Sequence, residues 1–583
     1  MDNKPISDLH NHPSLKPHGN TIDIKTIWDR FENKKPKDYF KGISVRKWII
    51  NIVLKKMATY SQSNLDSCFE GHNRLVFCSV YPIEKPFLKP TRPFKKSSGV
   101  HRFILGLIFK KKTNSRAIAI DKKIVSLLSG ISIKTASRLI DPIHDDRIDT
   151  IDYFSDYIIE YQYLLNASGS TSNKTIHGKQ PKFNLVKNYE HFLEMQSDST
   201  VCGIMTIEGM HALGVYNKKD LFETAKIENL PPERQNKLKL SFIKNIEAIK
   251  KEEYPPFFIT YAHHFNNLLL GHAKSFMDAK GTFDPGFADI FDQSLGQDLG
   301  ISSFGMLLII EHLLSRDNGQ RILIDVKHMS VKSRQSYYEL LANMREYSDA
   351  LQDNVPIISS HTAISGIPTL EKALAEKDSF NLDKNSYVSL WDINLTDEDI
   401  VAIFKSDGLI GVCMHDGRMP GNKFRKLLKK AGEETTKKLH VQMFLTNVFH
   451  IVKVNLAYIR KVNKTRATSK IDEVEAWKTI CLGTDNDGIV DPFDHYSTSA
   501  DLPAFRAKIS EALNNYVMPD YKGYNVINLP SETQYSLGEI DDLMSGQPWV
   551  EAIDKVFYNN TDAFLRKYFS KTYLAQKEDD LIV

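Results

Sequence analysis

Cysteine is scarce in this chain: Cys68, Cys78, Cys202, Cys413 and Cys481 are all it has in 583 residues. Five dispersed thiols make no disulfide framework and no CxxC pair is present to grip zinc; several lie inside apolar runs, where a reduced, buried thiol is the ordinary expectation. An excess of one charge is lacking too. With 76 basic and 72 acidic residues the formal net charge is +4, so no whole-molecule field points to nucleic acid or to an anionic membrane. No apolar run reaches the length of a bilayer span, and the opening MDNKPISDLHNHPS has neither a basic leader nor an apolar signal core. A cytoplasmic location without a transmembrane segment is the resulting expectation. Repeats at solenoid spacing and a Gly-rich phosphate loop are also missing.

What is present suits a large core: 42% of residues are hydrophobic and 25% charged. β-like apolar runs alternate with helical stretches, the pattern of an α/β protein with a parallel sheet. Eight strands are predicted, near Ile6–His10, Leu75–Tyr81, Val201–Ile207, Phe257–His263, Arg321–Lys327, Val355–Ser360, Gly408–Met414 and Ile480–Thr484. Between them SFGMLLIIEHLLSRDNG repeats its apolar residues every three to four positions and closes on Asn-Gly. The run after IDVKHMS has Ser330 placed as an N-cap.

Three stretches exceed ordinary loop length. Residues 83–123 are strongly basic around FILGLIF, which is too short to span a membrane; a solvated helical excursion or lid is favoured there over a lipid-touching surface. NASGSTSNK, residues 166–174, has linker composition and is predicted as a mobile tip between two helices. Residues 416–475 are rich in Lys and Glu with helical periodicity. The expected organisation is a single barrel over 1–583 with insertions at about 83–175, 226–255 and 416–475.

The chemistry sits where the apolar runs stop. His10 and His12 are two apart at a strand end, so both side chains project to one side and can chelate one ion. Glu208 follows VCGIMTI directly, and a carboxylate there can bridge two cations. His328 ends ILIDVK, His361 ends VPIISS, and Asp485 follows CLGT ahead of a tight turn. Singly each has a plainer reading: surface decoration for His10 and His12, a helix cap for Glu208, a satisfied loop imidazole for His328 or His361, a turn former for Asp485. Five separate strand ends bearing His, Glu or Asp on what would be one barrel rim favour a two-metal site. His10, His12 and Asp485 are expected to hold one ion and His328 and His361 the other, with Glu208 between them. Two such cations lower the pKa of a shared water, making hydroxide available as a nucleophile near neutral pH. Asp485 can accept its proton and pass it to the leaving group. His263, at the end of FFITYA, is placed to donate to an oxyanion, with ordinary packing as the equal alternative. His415, also at a strand end, has no assigned role.

Taken together, DLHNH, GHNRLVFCSVY, TIEGMHALG, TYAHHFNN, GISSFGMLLIIEHL, ILIDVKHMS, PIISSHTA, INLTDEDI, LGTDNDGI and NNTDAFLRKYF resemble the membrane (renal) dipeptidase family of the amidohydrolase superfamily, in family order. The resemblance implies a (β/α)₈ TIM barrel with helical insertions and a binuclear centre of divalent ions, Zn²⁺ being the expected pair. It carries ligand roles onto His10, Glu208, His328, His361 and Asp485, and stabilisation of the substrate carbonyl onto His263. It implies a hydrolase of a small dipeptide or related amide; a homodimer is compatible with it. Two departures stand out: His12 replaces the family's usual Asp, and Ile393 stands before Asn394 where the family has an arginine for the dipeptide's carboxylate. Arg418, in HDGRMPG, is a candidate substitute, with a plain loop arginine the favoured reading. The open alternatives are a lactonase, deacylase or phosphoesterase acting on a non-peptide substrate, or an inactive metal-binding barrel.

Overall fold

The structure, a computed structural model, describes residues 4–32, 60–89, 120–276, 291–347, 354–376, 386–516 and 534–575. Eight parallel strands follow one another around a barrel in chain order. They are β1 (Ile6–Asn11), β2 (Asn73–Val80), β3 (Thr200–Glu208), β4 (Phe258–Thr260), β5 (Leu323–Asp325), β6 (Ile358–Thr362), β7 (Leu409–Val412) and β8 (Ile480–Leu482). Each coincides with a predicted run. Strands buried on both faces read as continuous apolar segments, and β3 is buried along all nine of its residues.

The ring closes between the first strand and the last. The His10 carbonyl accepts from the Asp485 N–H at 2.9 Å, and the Asn486 carbonyl accepts from the His12 N–H at 2.9 Å. Beneath this seam the buried Asp8 carboxylate accepts from the Thr484 N–H at 2.9 Å and from its hydroxyl at 2.6 Å. A (β/α)₈ barrel results, with helices outside it.

Local sequence explains where the helices begin. Ser330 Oγ accepts from the Ser333 N–H at 3.0 Å and opens the helix Val331–Tyr347, as its position predicts. Thr396 and Asp399 form a reciprocal capping box ahead of Asp397–Lys405. Ser302 caps Ser303–Leu307, after which the SFGMLLIIEHLL segment widens into a π-turn over Leu308–Leu313.

Two features depart from the sequence expectation. An additional strand, Lys182–Val186, pairs in parallel with β3 on its far side, outside the ring. It also accounts for the second, residues 166–174, which are not a mobile tip between two helices. They lead from the helix Tyr153–Ala167 into that strand. Ser172 is buried and donates to Asp66 at 2.6 Å, while Ser170 accepts from the Trp28 indole N–H at 3.0 Å. Small hydroxylated residues here serve close packing, which their linker-like composition hides.

The helix Pro232–Ile249 fills most of 226–255, and 416–475 contains Asn422–Leu428 and the 33-residue helix Glu433–Thr465. Of the basic stretch 83–123, residues 90–119, FILGLIF among them, lie outside the described residues. Among the described residues no helix is long and apolar enough to cross a membrane, and all five cysteines are free and buried.

Candidate metal centre

The carboxyl ends of the strands aim their last polar residue into the barrel mouth. At two of them the backbone turns sharply to do so: His328 and Asp485 have φ of 65° and 58°, a conformation unusual for non-glycine residues and one that gathers at functional sites. After Glu208, Gly209 takes φ 92°, and a Cβ built on it would run into the His211 ring. A glycine is required for the chain to leave β3 with Glu208 facing inward.

Glu208 is the hub. Its Oε1 lies 3.4 Å from His10 Nε2, 3.3 Å from His263 Nε2, 3.7 Å from His328 Nε2 and 3.7 Å from His361 Nε2. Its Oε2 lies 3.2 Å from His12 Nε2. Asp485 faces the same cluster: Oδ1 is 3.5 Å from His12 Nε2, and Oδ2 is 3.7 Å from His361 Nε2. All six sequence-predicted ligand residues therefore meet in one buried cluster, and His263 borders it. The ligating atoms of His10, Glu208, His361 and Asp485 lie within 4.8 Å of one another, and so do ring nitrogens of His263, His264 and His328. His361 thus stands with the His10 and Asp485 group while also touching His328, Nε2 to Nε2, at 3.2 Å.

The donor set fits a divalent cation. His10 and His12 point Nε2 at Nε2 across 3.1 Å, close to the roughly 3.3 Å that separates two nitrogens bound tetrahedrally to zinc at about 2.0–2.1 Å. The far nitrogens are held for that purpose in two rings. His12 Nδ1 is 2.8 Å from the Ser79 carbonyl, and His361 Nδ1 is 3.0 Å from Ser360 Oγ, which itself donates to Asp325 at 2.6 Å. A donor pinned at Nδ1 fixes the tautomer and turns the Nε2 lone pair inward. His10 Nδ1 and His328 Nδ1 have no hydrogen-bond partner among the described residues.

The electrostatics of the cluster point the same way. Burial opposes ionisation of Glu208, yet the imidazoles of His263, His10 and His12 hold it well below the usual carboxylate range. Burial likewise works against charge on His12 and His263, but Glu208 and its neighbouring carboxylates push them up to about 10 and about 9. Burial and nearby positive groups depress His328 and His361, leaving them neutral with free lone pairs. Two buried carboxylates beside neutral imidazoles favour positive charge, and a divalent cation and protons compete for those places.

Two participants escaped the sequence reading. Glu84, in the loop after β2, places Oε2 2.6 Å from His263 Nδ1 and Oε1 3.0 Å from the Phe265 N–H. It is the first charged residue after the apolar run LVFCSVYPI, so a strand-end signal was present there as well, in a Pro-flanked loop. His264 was visible merely as the neighbour of His263. His415 places Nε2 3.6 Å from Asp485 Oδ2 and 3.2 Å from the Thr484 carbonyl.

The position before Asn394 is apolar in space as well as in sequence: Ile393 is buried with Ala273 and Trp391. The loop carrying Arg418 lies over that segment, its backbone carbonyl accepting from Asn394 Nδ2 at 3.4 Å. Arg418 Nη1 is buried without a hydrogen-bond partner among the described residues. Lys327 is 2% exposed; burial first, then the Arg418 charge, brings its ammonium down to about 7.

No family model matches the chain, and no curated protein matches it. Among solved structures, the dipeptidase AC, a metallopeptidase of family M19, is similar over 97% of this chain and 99% of its own, with 13% identity and a TM-score of 0.44. A metallopeptidase from Rhodobacter sphaeroides, liganded with a phosphinate mimic of the dipeptide L-Ala-D-Ala, is similar over 97% and 99%, with 13% identity and a TM-score of 0.45. An amidohydrolase from Pseudomonas aeruginosa is similar over 86% and 91%, at 12% identity and a TM-score of 0.34.

Proposed function

We propose that this chain is a cytoplasmic, binuclear metal-dependent hydrolase of peptide or amide bonds, organised as one barrel with insertions. The observation that carries the reading is the buried meeting of four imidazoles with Glu208 and Asp485 at the mouth of the barrel. His10, His12 and Asp485 would hold one divalent cation and His328 and His361 another, with Glu208 reaching both; nitrogen and carboxylate donors suit zinc. Such ions, when bound, acidify water and polarise a carbonyl oxygen.

The protein's own groups supply the rest. Asp485, held ionised beside His12 and His415, accepts the proton of the attacking water and returns it to the leaving nitrogen. Glu84 accepts from His263 Nδ1–H and, together with Glu208, favours the doubly protonated ring, whose Nε2–H then donates to the substrate carbonyl oxygen. Arg418, whose buried Nη1 has no hydrogen-bond partner among the described residues, takes an anionic group of the substrate. The substrate is therefore an amide bearing a carboxylate, the chemistry common to dipeptides and N-acyl amino acids.

The test is a panel of dipeptides, N-acyl amino acids and lactones, run with and without chelator on wild type and Arg418→Ala. Chelator-sensitive hydrolysis of the carboxylate-bearing amides, with KM raised roughly 10-fold or more by Arg418→Ala and kcat less affected, is expected. Turnover of lactones alone would replace the amide reading with lactonase activity.

A further inference from the structure

We infer that His264 is a ligand of the cation on the His328 side, adding a third imidazole to that position; this rests on the binuclear reading above. Three observations converge on it. First, ring nitrogens of His264, His328 and His263 lie within 4.8 Å of one another, and the His264 ring meets His328 edge-on at 4.9 Å between centroids. Neither Glu208 nor Asp485 is needed to complete the group.

Second, the ring is prepared for the task. Ser275 Oγ lies 2.7 Å from His264 Nδ1, so Nε2 is the nitrogen left open, the arrangement that orients metal-binding histidines elsewhere in proteins. Ser275 is itself anchored. Gln293 donates to Ser275 Oγ at 2.7 Å and to the His264 carbonyl at 2.6 Å, and accepts from the Ser275 N–H at 3.0 Å. Both Ser275 and Gln293 are 6% exposed. A buried clasp thus spends a hydroxyl and an amide on the orientation of one imidazole.

Third, the neighbouring histidines have other employment. His211 satisfies Nε2 on the Pro82 carbonyl at 2.8 Å, as a packing histidine does. His263 is committed through Nδ1 to Glu84 at 2.6 Å. His264 has an oriented ring, an open nitrogen and His328 beside it.

Metal-free wild type, His264→Ala and Ser275→Ala would be titrated with cobalt(II) alone, following bound ions per chain, affinity and the visible absorption of the metal, with a thermal melt to confirm folding. Wild type is expected to bind two ions. His264→Ala should keep one and weaken the other about 100-fold or more with a changed cobalt spectrum, and Ser275→Ala should weaken the same ion about 10-fold. If both variants bind two ions with wild-type affinities and spectra, the role given to His264 is wrong while the binuclear centre stands. If wild type itself binds fewer than two ions, the binuclear reading fails and takes this inference with it. Should His264→Ala not fold, the Ser275→Ala spectrum and affinity decide alone.

Discussion

Replacing Glu208 by Gln removes one negative charge from the point where five imidazoles meet and keeps the shape of the side chain. In the cation-free chain the carboxylate stands 3.2 Å from His12 Nε2 and 3.3 Å from His263 Nε2. At an effective dielectric of about 20, each such contact between unit charges is worth about 5 kcal/mol. A divalent ion in the same mouth interacts at least as strongly, and 5 kcal/mol corresponds to a factor of roughly 10³ to 10⁴ in affinity. The amide oxygen of Gln recovers part of this, so each ion should bind about 10³-fold more weakly, with amide hydrolysis falling in step. Competition of zinc against a chelator of known affinity measures the first, and turnover of a carboxylate-bearing amide the second. A second, metal-free readout is available by proton NMR: His12 and His263, pushed up to about 10 and about 9 with Glu208 the largest raising cause, should titrate lower in the variant. Binding of both ions within 10-fold of wild type, or unmoved histidines, would refute the central placement of Glu208.

Two further outcomes follow from the surroundings. Gly209→Ala forces a Cβ against the His211 ring at a positive φ. It should lower stability by about 1–3 kcal/mol and misplace Glu208, read as a reduced denaturation midpoint together with weaker zinc binding. Glu252 is desolvated, which raises its carboxyl to about 8 even though Tyr157 donates to it at 2.7 Å. Its folded pKa lies above its unfolded one, so the folded chain binds the extra proton between about 4.5 and 8, and the contribution of this group declines as pH rises through that window. Glu252→Gln should therefore be more stable than wild type at pH 8.5 and lose that advantage at pH 4, measured by thermal melts in matched buffers.

Much of the barrel was legible because buried parallel strands have no choice but to be apolar, and because a barrel places its reactive residues where those runs end. Glu208 after VCGIMTI and His328 after ILIDVK declare themselves in this way. The residues that stayed hidden act across the chain. Glu84 touches His263 from 179 positions away; it too closes an apolar run, LVFCSVYPI, but its partner lies on another strand and no local pattern names it. Ser275 and Gln293, 18 apart, hold the His264 ring from loops without any periodic pattern. The strand Lys182–Val186 was overlooked because KFNLV mixes a charge and an amide into five residues. Ser170 and Ser172 read as spacer although they are tied to Trp28 and Asp66. Composition describes what a residue tolerates, and contact decides what it does.

The seam between β1 and β8 has a consequence for how the protein comes into being. Asp8 grips Thr484, and Lys16 meets Asp487 at 2.6 Å, across more than 470 positions of sequence. Contacts so remote form late, after the loop-closure entropy of nearly the whole chain has been overcome. A nascent chain still lacking residue 485 has the histidines but not Asp485, so the proposed cage can close only once more than four-fifths of the chain has been made. On the proposed reading, a polypeptide interrupted before β8 would lack Asp485 and could not complete the centre.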